Sequence, residues 1–294
     1  MTTIDREDLR RWCSIPVEDL AAAPTRVPFR LVADAVEMGR LMAREFVDLV
    51  AANNAAGRGT RAIVPCGPSG WYAPFTEEVN TRRVSLANLD VFHMDEMLDW
   101  QARPLPAGHP HNFRTFMERH FYGGISPDLA VPEARRHWLL PSTADTVRAA
   151  IAEAPVDLTL GGWGQDGHVA YNQARRHPFS RATLADVEGS TIRVQDNNLD
   201  TILAVAHRTL GSAYQFVPPM SITLGMRECL GAARVRLFSD TGAWKQTAFR
   251  VALFADPTPE YPITLLQRHP DALLTATLET ARHPIAEHPE WDLG

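Results

Sequence analysis

Lysine is almost missing from this 294-residue chain: of 29 basic residues, only Lys245 is Lys and the rest are Arg. Cysteine is scarce as well. Cys13, Cys66 and Cys229 are odd in number and far apart, so they make neither a disulfide framework nor a Cys-x-x-Cys motif, a usage that fits a reducing compartment. No apolar run reaches the ~20 residues of a membrane-spanning helix. The first residues, MTTIDREDLRRW, carry charge from the fifth position and have no apolar stretch of signal-peptide type. A cytoplasmic protein without a membrane partner is therefore expected. Excess positive charge is also lacking: the net charge of −6 weighs against binding to a nucleic-acid backbone. There is no P-loop and no H-E-x-x-H, and His109-Pro110-His111 reads as a turn, so neither a metal nor a nucleotide cofactor is expected.

With 45% hydrophobic and 22% charged residues, the chain has the balance of a soluble globular protein. Its length allows one large or two ordinary domains. No internal repeat or low-complexity tract divides it. Abundant Ala, Arg and Pro point to a GC-rich genome, under which exposed lysines drift to arginine. A surviving lysine is a candidate for a place where a compact ammonium fits and a planar guanidinium does not.

The apolar spacing of Leu31 to Ala52 predicts a helix stopped by Asn53, Asn54 and Gly57. Arg61–Pro65 predicts a strand closed by Cys66-Gly67-Pro68-Ser69-Gly70, with a helix from Trp71 carrying Pro74 in its first turn. The rhythm repeats. Leu89–Phe92, His137–Leu140, Val156–Leu160, Ser221–Leu224, Val235–Phe238 and Asp271–Leu278 read as strands. Asn112–His120 and Thr146–Ala154 read as helices, as does a segment holding Lys245, and the residues from His283 are polar and proline-bearing. Alternation of this kind predicts an α/β fold: a single doubly wound, mostly parallel sheet with helices on both faces, in one domain over residues 1–294 with a helical N-terminal extension over 1–30. Ligands in such folds bind beyond the carboxyl ends of the strands. Four loops, 66–70, 93–96, 161–168 and 239–242, each follow an apolar strand and carry glycine or ionisable residues. Chain order brings them to one edge of one sheet, which points to an enzyme.

In the 161–168 loop, glycines including Gly164 allow close approach to a ligand, and Asp166 can orient His168 for acid/base work. A tight turn with a solvated histidine is the alternative. Of Asp95 and Glu96, adjacent carboxylates at a strand end, one can face a site with a raised pKa and act as a base; the alternative is an ordinary capping or turn acid. The turn and helix start from Ser239 to Lys245 offer amides, a helix dipole and an ammonium to an anion. Alternatively this is a capped helix with a solvated lysine. Gly67, Ser69 and Gly70 can add amides and a hydroxyl to the same anion.

These residues, in this order over roughly 30–280, resemble the glucosamine-6-phosphate deaminase/isomerase family. Asn88-Leu-Asp-Val-Phe-His-Met-Asp-Glu96 resembles its strand ending in Asp-Glu. Leu160-Gly-Gly-Trp-Gly-Gln-Asp-Gly-His-Val-Ala-Tyr-Asn172 resembles its GxGxDGHIAFNEP signature. Ser221-Ile-Thr-Leu-Gly225 resembles its ALTxG strand, and Leu266-Gln267-Arg268-His269-Pro270 its LQxHP element. The resemblance implies that Asp95 moves a proton between C2 and C1 of an opened sugar and that His168, oriented by Asp166, opens the ring. Lys245 and the 66–70 loop would hold a 6-phosphate, with Glu96 and Gly164 beside the substrate. No cofactor is implied. The expected partners are a small-molecule sugar or sugar phosphate and further copies of the same chain.

Three departures bear on this. The family's glutamate after Asn is Gln173 here, at a position implied to partner the histidine. Its Thr-Gly-Ser-Thr-Pro loop is Cys66-Gly67-Pro68-Ser69-Gly70, and proline donates no N–H. Its phosphate arginine aligns near Asn198, with Arg193, Arg175 or Arg176 as substitutes. The changes point to a shifted substrate: a different amino-sugar phosphate or a less phosphorylated sugar. Two other readings compete. A 6-phosphogluconolactonase shares the fold and the Asp-Gly-His, but its DGHTASLFP continuation differs from Val169-Ala-Tyr-Asn172. A non-catalytic sugar sensor lacks support from any helix-turn-helix-like N-terminal segment.

Overall fold

The computed structural model describes residues 4–175, 179, 181–240 and 242–293. Asp5 accepts the N–H groups of Glu7 and Asp8 and so starts α1 (Arg6–Cys13), which a 3-10 turn (Val17–Ala22) follows before β1 (Phe29–Val32). Asp34 caps α2 (Ala35–Ala55) in the same way. After it come β2 (Thr60–Val64), α3 (Tyr72–Arg82), β3 (Leu89–His93), β4 (Asp95–Leu98) and α4 (Phe113–Met117). The chain continues through β5 (Arg136–His137), α5 (Ala144–Glu153), β6 (Leu158–Gly161), α6 (Leu184–Glu188), β7 (Arg193–Asp196), α7 (Leu199–Thr209) and β8 (Met220–Thr223). It ends with α8 (Met226–Cys229), β9 (Arg234–Ser239), α9 (Gln246–Phe254), β10 (Ala272–Thr277), α10 (Leu278–Ala281) and α11 (Pro284–Glu287).

Seven strands form one parallel sheet in the order β1-β10-β9-β6-β2-β3-β5. The α/β class and the doubly wound parallel sheet match the sequence expectation. From β2 the chain builds outward through β3 and β5, then returns to the other side of β2 with β6. The switch in direction therefore falls between β2 and β6, where the loops diverge and a crevice opens. The loops expected at the rim follow β2, β3, β6 and β9, which are consecutive neighbours in space.

Helices α2 and α3 bury an apolar layer on the sheet in which Phe46, Trp71, Phe75 and Phe121 meet at ring-centroid distances of 4.8–5.6 Å. A second layer gathers α9 against β9 and β10 around Phe249, Leu253 and Leu274, and Leu20 and Trp12 of the N-terminal segment pack on it. Burying such side chains stabilises a fold by ~1.5–3 kcal/mol each relative to exposure.

Several elements differ from the sequence reading. Leu31 and Val32 pair with β10 as a strand, and the helix expected over 31–52 begins at Ala35, because the Asp34 cap sets its start. The helix expected over 112–120 is α-helical to Met117 and then widens into a π turn, Glu118–Tyr122. The strand at 221–224 lies outside the main sheet: β4, β8 and β7 form a separate three-stranded antiparallel sheet. The polar, proline-bearing residues after His283 include α11.

Candidate active site

At the switch point the loops enclose a cavity of about 250 Å³, lined among others by Gly67, Asp95, Gly164, His168, Arg208 and Lys245. Asp95 enters it because the chain leaves β3 and joins the second sheet at that residue. The Met94 N–H donates to the Val64 carbonyl (3.1 Å), and the Met94 carbonyl accepts from Leu224 (2.9 Å). Asp95 is thus gripped between two sheets. Burial, reinforced by the neighbouring Glu96 carboxylate and opposed by His168, pushes its carboxyl up to about 7. An acid in that range can take and return a proton near neutrality.

The turn after β6 holds the imidazole. His168 Nδ1 lies 2.6 Å from Asp166 Oδ1, and the His168 carbonyl accepts the Gly164 N–H at 3.0 Å. With Nδ1–H donated to Asp166, Nε2 remains the free acceptor. Gly167 sits at φ +69°, a conformation that glycine adopts without the Cβ penalty. Tyr171 stacks on the imidazole with ring centroids 5.9 Å apart. Burial would raise the Asp166 carboxyl, but the charge and hydrogen bond of His168 outweigh it and hold the group below its ordinary value.

Two further cavity-lining residues are cations set over one indole ring. The Arg208 guanidinium lies 4.5 Å, and the Lys245 ammonium 4.9 Å, from the Trp244 ring centroid. Lys245 is the residue before α9, at the helix start expected from sequence. Burial, then Arg208, lowers its pKa to about 7, against a smaller raising effect of Asp240.

The sequence-predicted residues divide. Asp95, His168, Gly164, Gly67 and Lys245 come together at the cavity, and Asp166 stands behind it, bonded to His168. Four others do not. Glu96 turns away: its carboxylate accepts the N–H groups of Met97 (3.0 Å), Phe113 (2.8 Å) and Arg114 (2.7 Å), so it anchors the start of α4 instead of contacting a substrate. Gln173 does not reach His168, because its Oε1 is held by the Asn198 N–H (2.8 Å) and the Thr201 hydroxyl (3.0 Å) at the start of α7. Ser69 and Gly70 lie past the cavity wall. The Ser69 carbonyl accepts the Tyr72 N–H as α3 begins, and Ser69 lines a separate surface depression with Tyr72 and Thr76.

Arg208 was missed in the sequence. Its signal is the spacing of Thr201, Val205 and Arg208, which places three cavity-lining side chains on one face of α7. Of the substitutes considered, Arg193 is spent on Asn172 Oδ1 (2.9 Å) and the Thr191 carbonyl (3.3 Å). Arg175 does not line the cavity, and Arg176 and Thr241 lie outside the described residues. Among the described residues no group of three or more His, Cys, Asp or Glu stands together as metal ligands, and no helix is long and apolar enough to cross a membrane.

No family model matches the chain. Similar curated proteins include a glucosamine-6-phosphate deaminase of Beutenbergia cavernae, 28% identical over 236 residues, which span 76% of this chain and 84% of that protein. Glucosamine-6-phosphate deaminase 2 of Mus musculus is 29% identical, covering 72% of this chain and 73% of the mouse protein. Among solved structures, a monomeric glucosamine-6-phosphate deaminase described as a missing link of the NagB superfamily superposes with TM-score 0.71 at 19% identity, over 86% of this chain and 98% of that one. A 6-phosphogluconolactonase of Trypanosoma brucei gives TM-score 0.57 at 18% identity, over 87% and 97%.

The sheet order and the crevice thus define the α/β class shared by sugar-phosphate deaminases and lactonases. Within it, the chain is most simply compared with glucosamine-6-phosphate deaminases, to which it is similar at 28–29% identity over 72–76% of its length.

Proposed function

We propose that this protein opens an amino-sugar phosphate or closely related sugar and moves a proton between C2 and C1, releasing ammonia where C2 carries an amino group. The observation that carries the reading is that Asp95 and His168, whose Nδ1 is held by the buried Asp166, line one cavity with Lys245 and Arg208. In this reading His168, steered by Asp166, relays the proton from the C1 hydroxyl to the ring oxygen as the C1–O bond of the ring breaks. The Asp95 carboxylate takes the C2 proton, the C–H electron pair becomes a C1–C2 double bond as the C1 carbonyl pair moves onto O1 and takes a proton from solvent water, and Asp95 returns its proton to C1 as the nitrogen lone pair forms the C2–N double bond. The iminium left at C2 adds water and expels ammonia, giving a ketose. Every step is proton transfer or water addition, for which a base near neutrality and an oriented imidazole suffice.

The test is a panel of free and 6-phosphorylated amino sugars, aldoses and a 6-phosphogluconolactone, with ammonia, ketose and acid release measured separately. Ammonia and ketose in equal amounts from an amino sugar are expected. Acid release from the lactone with no ketose from any sugar would overturn the reading.

A further inference from the structure

The cavity contains an acid that the proposed reaction does not use. Asp240 follows β9 and lines the cavity with Lys245 and Arg208. Its Oδ2 lies 3.5 Å from the point a Cβ would occupy on Gly70, so its carboxylate faces the very loop whose amides were expected to grip an anion. Its Oδ1 is buried and has no hydrogen-bond partner among the described residues. Two further observations bear on the loops around those cations. Pro68 brings no N–H to the cavity wall and the Ser69 hydroxyl lies elsewhere. A second carboxylate covers the start of the turn leading to α9: Glu279 Oε1 is 2.6 Å from the point a Cβ would take on Gly242.

A phosphate dianion placed there would meet the Asp240 carboxylate beside Lys245 and Arg208, with no proton to offer the unpaired oxygen. A sugar hydroxyl suits the same groups: it donates to Asp240 and accepts from Lys245 or Arg208. Buried acceptors without partners are costly, so a ligand that supplies the missing donor is selected and one that cannot is rejected. We infer that Asp240 is a specificity-determining residue that sets this cavity for a sugar whose far end is a free hydroxyl and discriminates against a 6-phosphate. The inference rests on reading the cavity as the sugar site of the proposed reaction. Lys245, lowered by burial to about 7, is consistent with it, since such a lysine is a weaker partner for a dianion.

The experiment is calorimetric binding at pH 8, where the phosphate is a dianion, of an open-chain 2-amino-2-deoxyhexitol and of its 6-phosphate, to the wild type, Asp240→Asn and Asp240→Ser. The free hexitol is expected to bind the wild type at least as tightly as the phosphate. Removing the carboxylate should shift the ratio toward the phosphate by about tenfold or more, as loss of a like-charge contact does. Asp240→Ser supplies the same comparison where Asp240→Asn does not fold. A wild type that prefers the phosphate tenfold, an unchanged ratio in the folded variants, or binding of neither compound would overturn the inference. Turnover of the amino sugar and its phosphate is followed in parallel. Preferential binding of the hexitol without turnover of either sugar contradicts the proposed reaction while supporting the assignment of Asp240.

Discussion

Replacing Gly164 by Ala tests how tightly the imidazole is held. A Cβ at that position would lie 2.1 Å from His168 Cε1, 2.3 Å from Nδ1 and 2.6 Å from Nε2. Carbon contacts settle near 3.5 Å, so the ring or the loop must give by about 1.4 Å. The ring has little room. Nδ1 is 2.6 Å from Asp166, Tyr171 stacks on it, and the loop is pinned by the bond from Gly164 N–H to the His168 carbonyl and by Ile263 N–H to the Gly167 carbonyl at 2.8 Å. Overpacking of this kind costs about 1–3 kcal/mol of stability. Displacing a catalytic group by about 1 Å costs on the order of a hundredfold in rate, or about 2.7 kcal/mol of activation free energy. We expect Gly164→Ala to lower kcat for ketose formation about a hundredfold and to abolish the low-field proton resonance of the Asp166–His168 hydrogen bond. A variant with at least half the wild-type kcat and that resonance intact would refute the packing argument.

Other expectations follow from the same geometry. Lys245 is the only lysine, so reductive methylation with a carbon-13 label gives one lysine resonance, and its titration midpoint should fall near 7; a midpoint at 10 or above would contradict its burial. The unfolded lysine keeps its proton to about 10.5 and the folded one only to about 7, so the unfolded chain holds more protons in that window. Stability from this group therefore rises with pH between 7 and 10.5, and Lys245→Met should remove the rise in chemical-denaturation profiles. Glu96→Ala strips three N–H groups of their acceptor and should cost about 1–3 kcal/mol in urea unfolding; no loss of stability would return Glu96 to consideration as a substrate contact. Gln173→Glu leaves His168 untouched, so kcat within about threefold of wild type is expected, and a tenfold change would indicate coupling to the imidazole.

The features of the sheet that decide the site were largely legible. Glycine-rich and acidic loops behind apolar strands announce a rim, and the Asp-Gly-His turn and Lys245 fell where expected. That β9, β6, β2 and β3 would be consecutive neighbours follows from crossover geometry, which no local pattern encodes. The antiparallel sheet escaped because β4 begins at Asp95 itself, so a strand start looked like a catalytic loop. Glu96 and Asp95 are adjacent and chemically alike; only the backbone direction at the sheet junction sends one into the cavity and the other to the start of α4. Gln173 was read through its place beside the signature, whereas its amide is fixed by α7. Arg208 comes from the last turn of α7 and Asp240 from just past β9, and their meeting at one cavity is a tertiary fact.

The central claim is that Asp95 carries the proton between C2 and C1. The most direct measurement is turnover of an amino sugar in deuterium oxide, with the ketose examined by NMR for solvent deuterium at C1, for the wild type and for Asp95→Asn. The account predicts deuterium at C1 with the wild type and, for the variant, a rate lower by about a hundredfold to ten-thousandfold with the fold retained. Ketose formed by Asp95→Asn at a near-normal rate, with the same deuterium at C1, would contradict it.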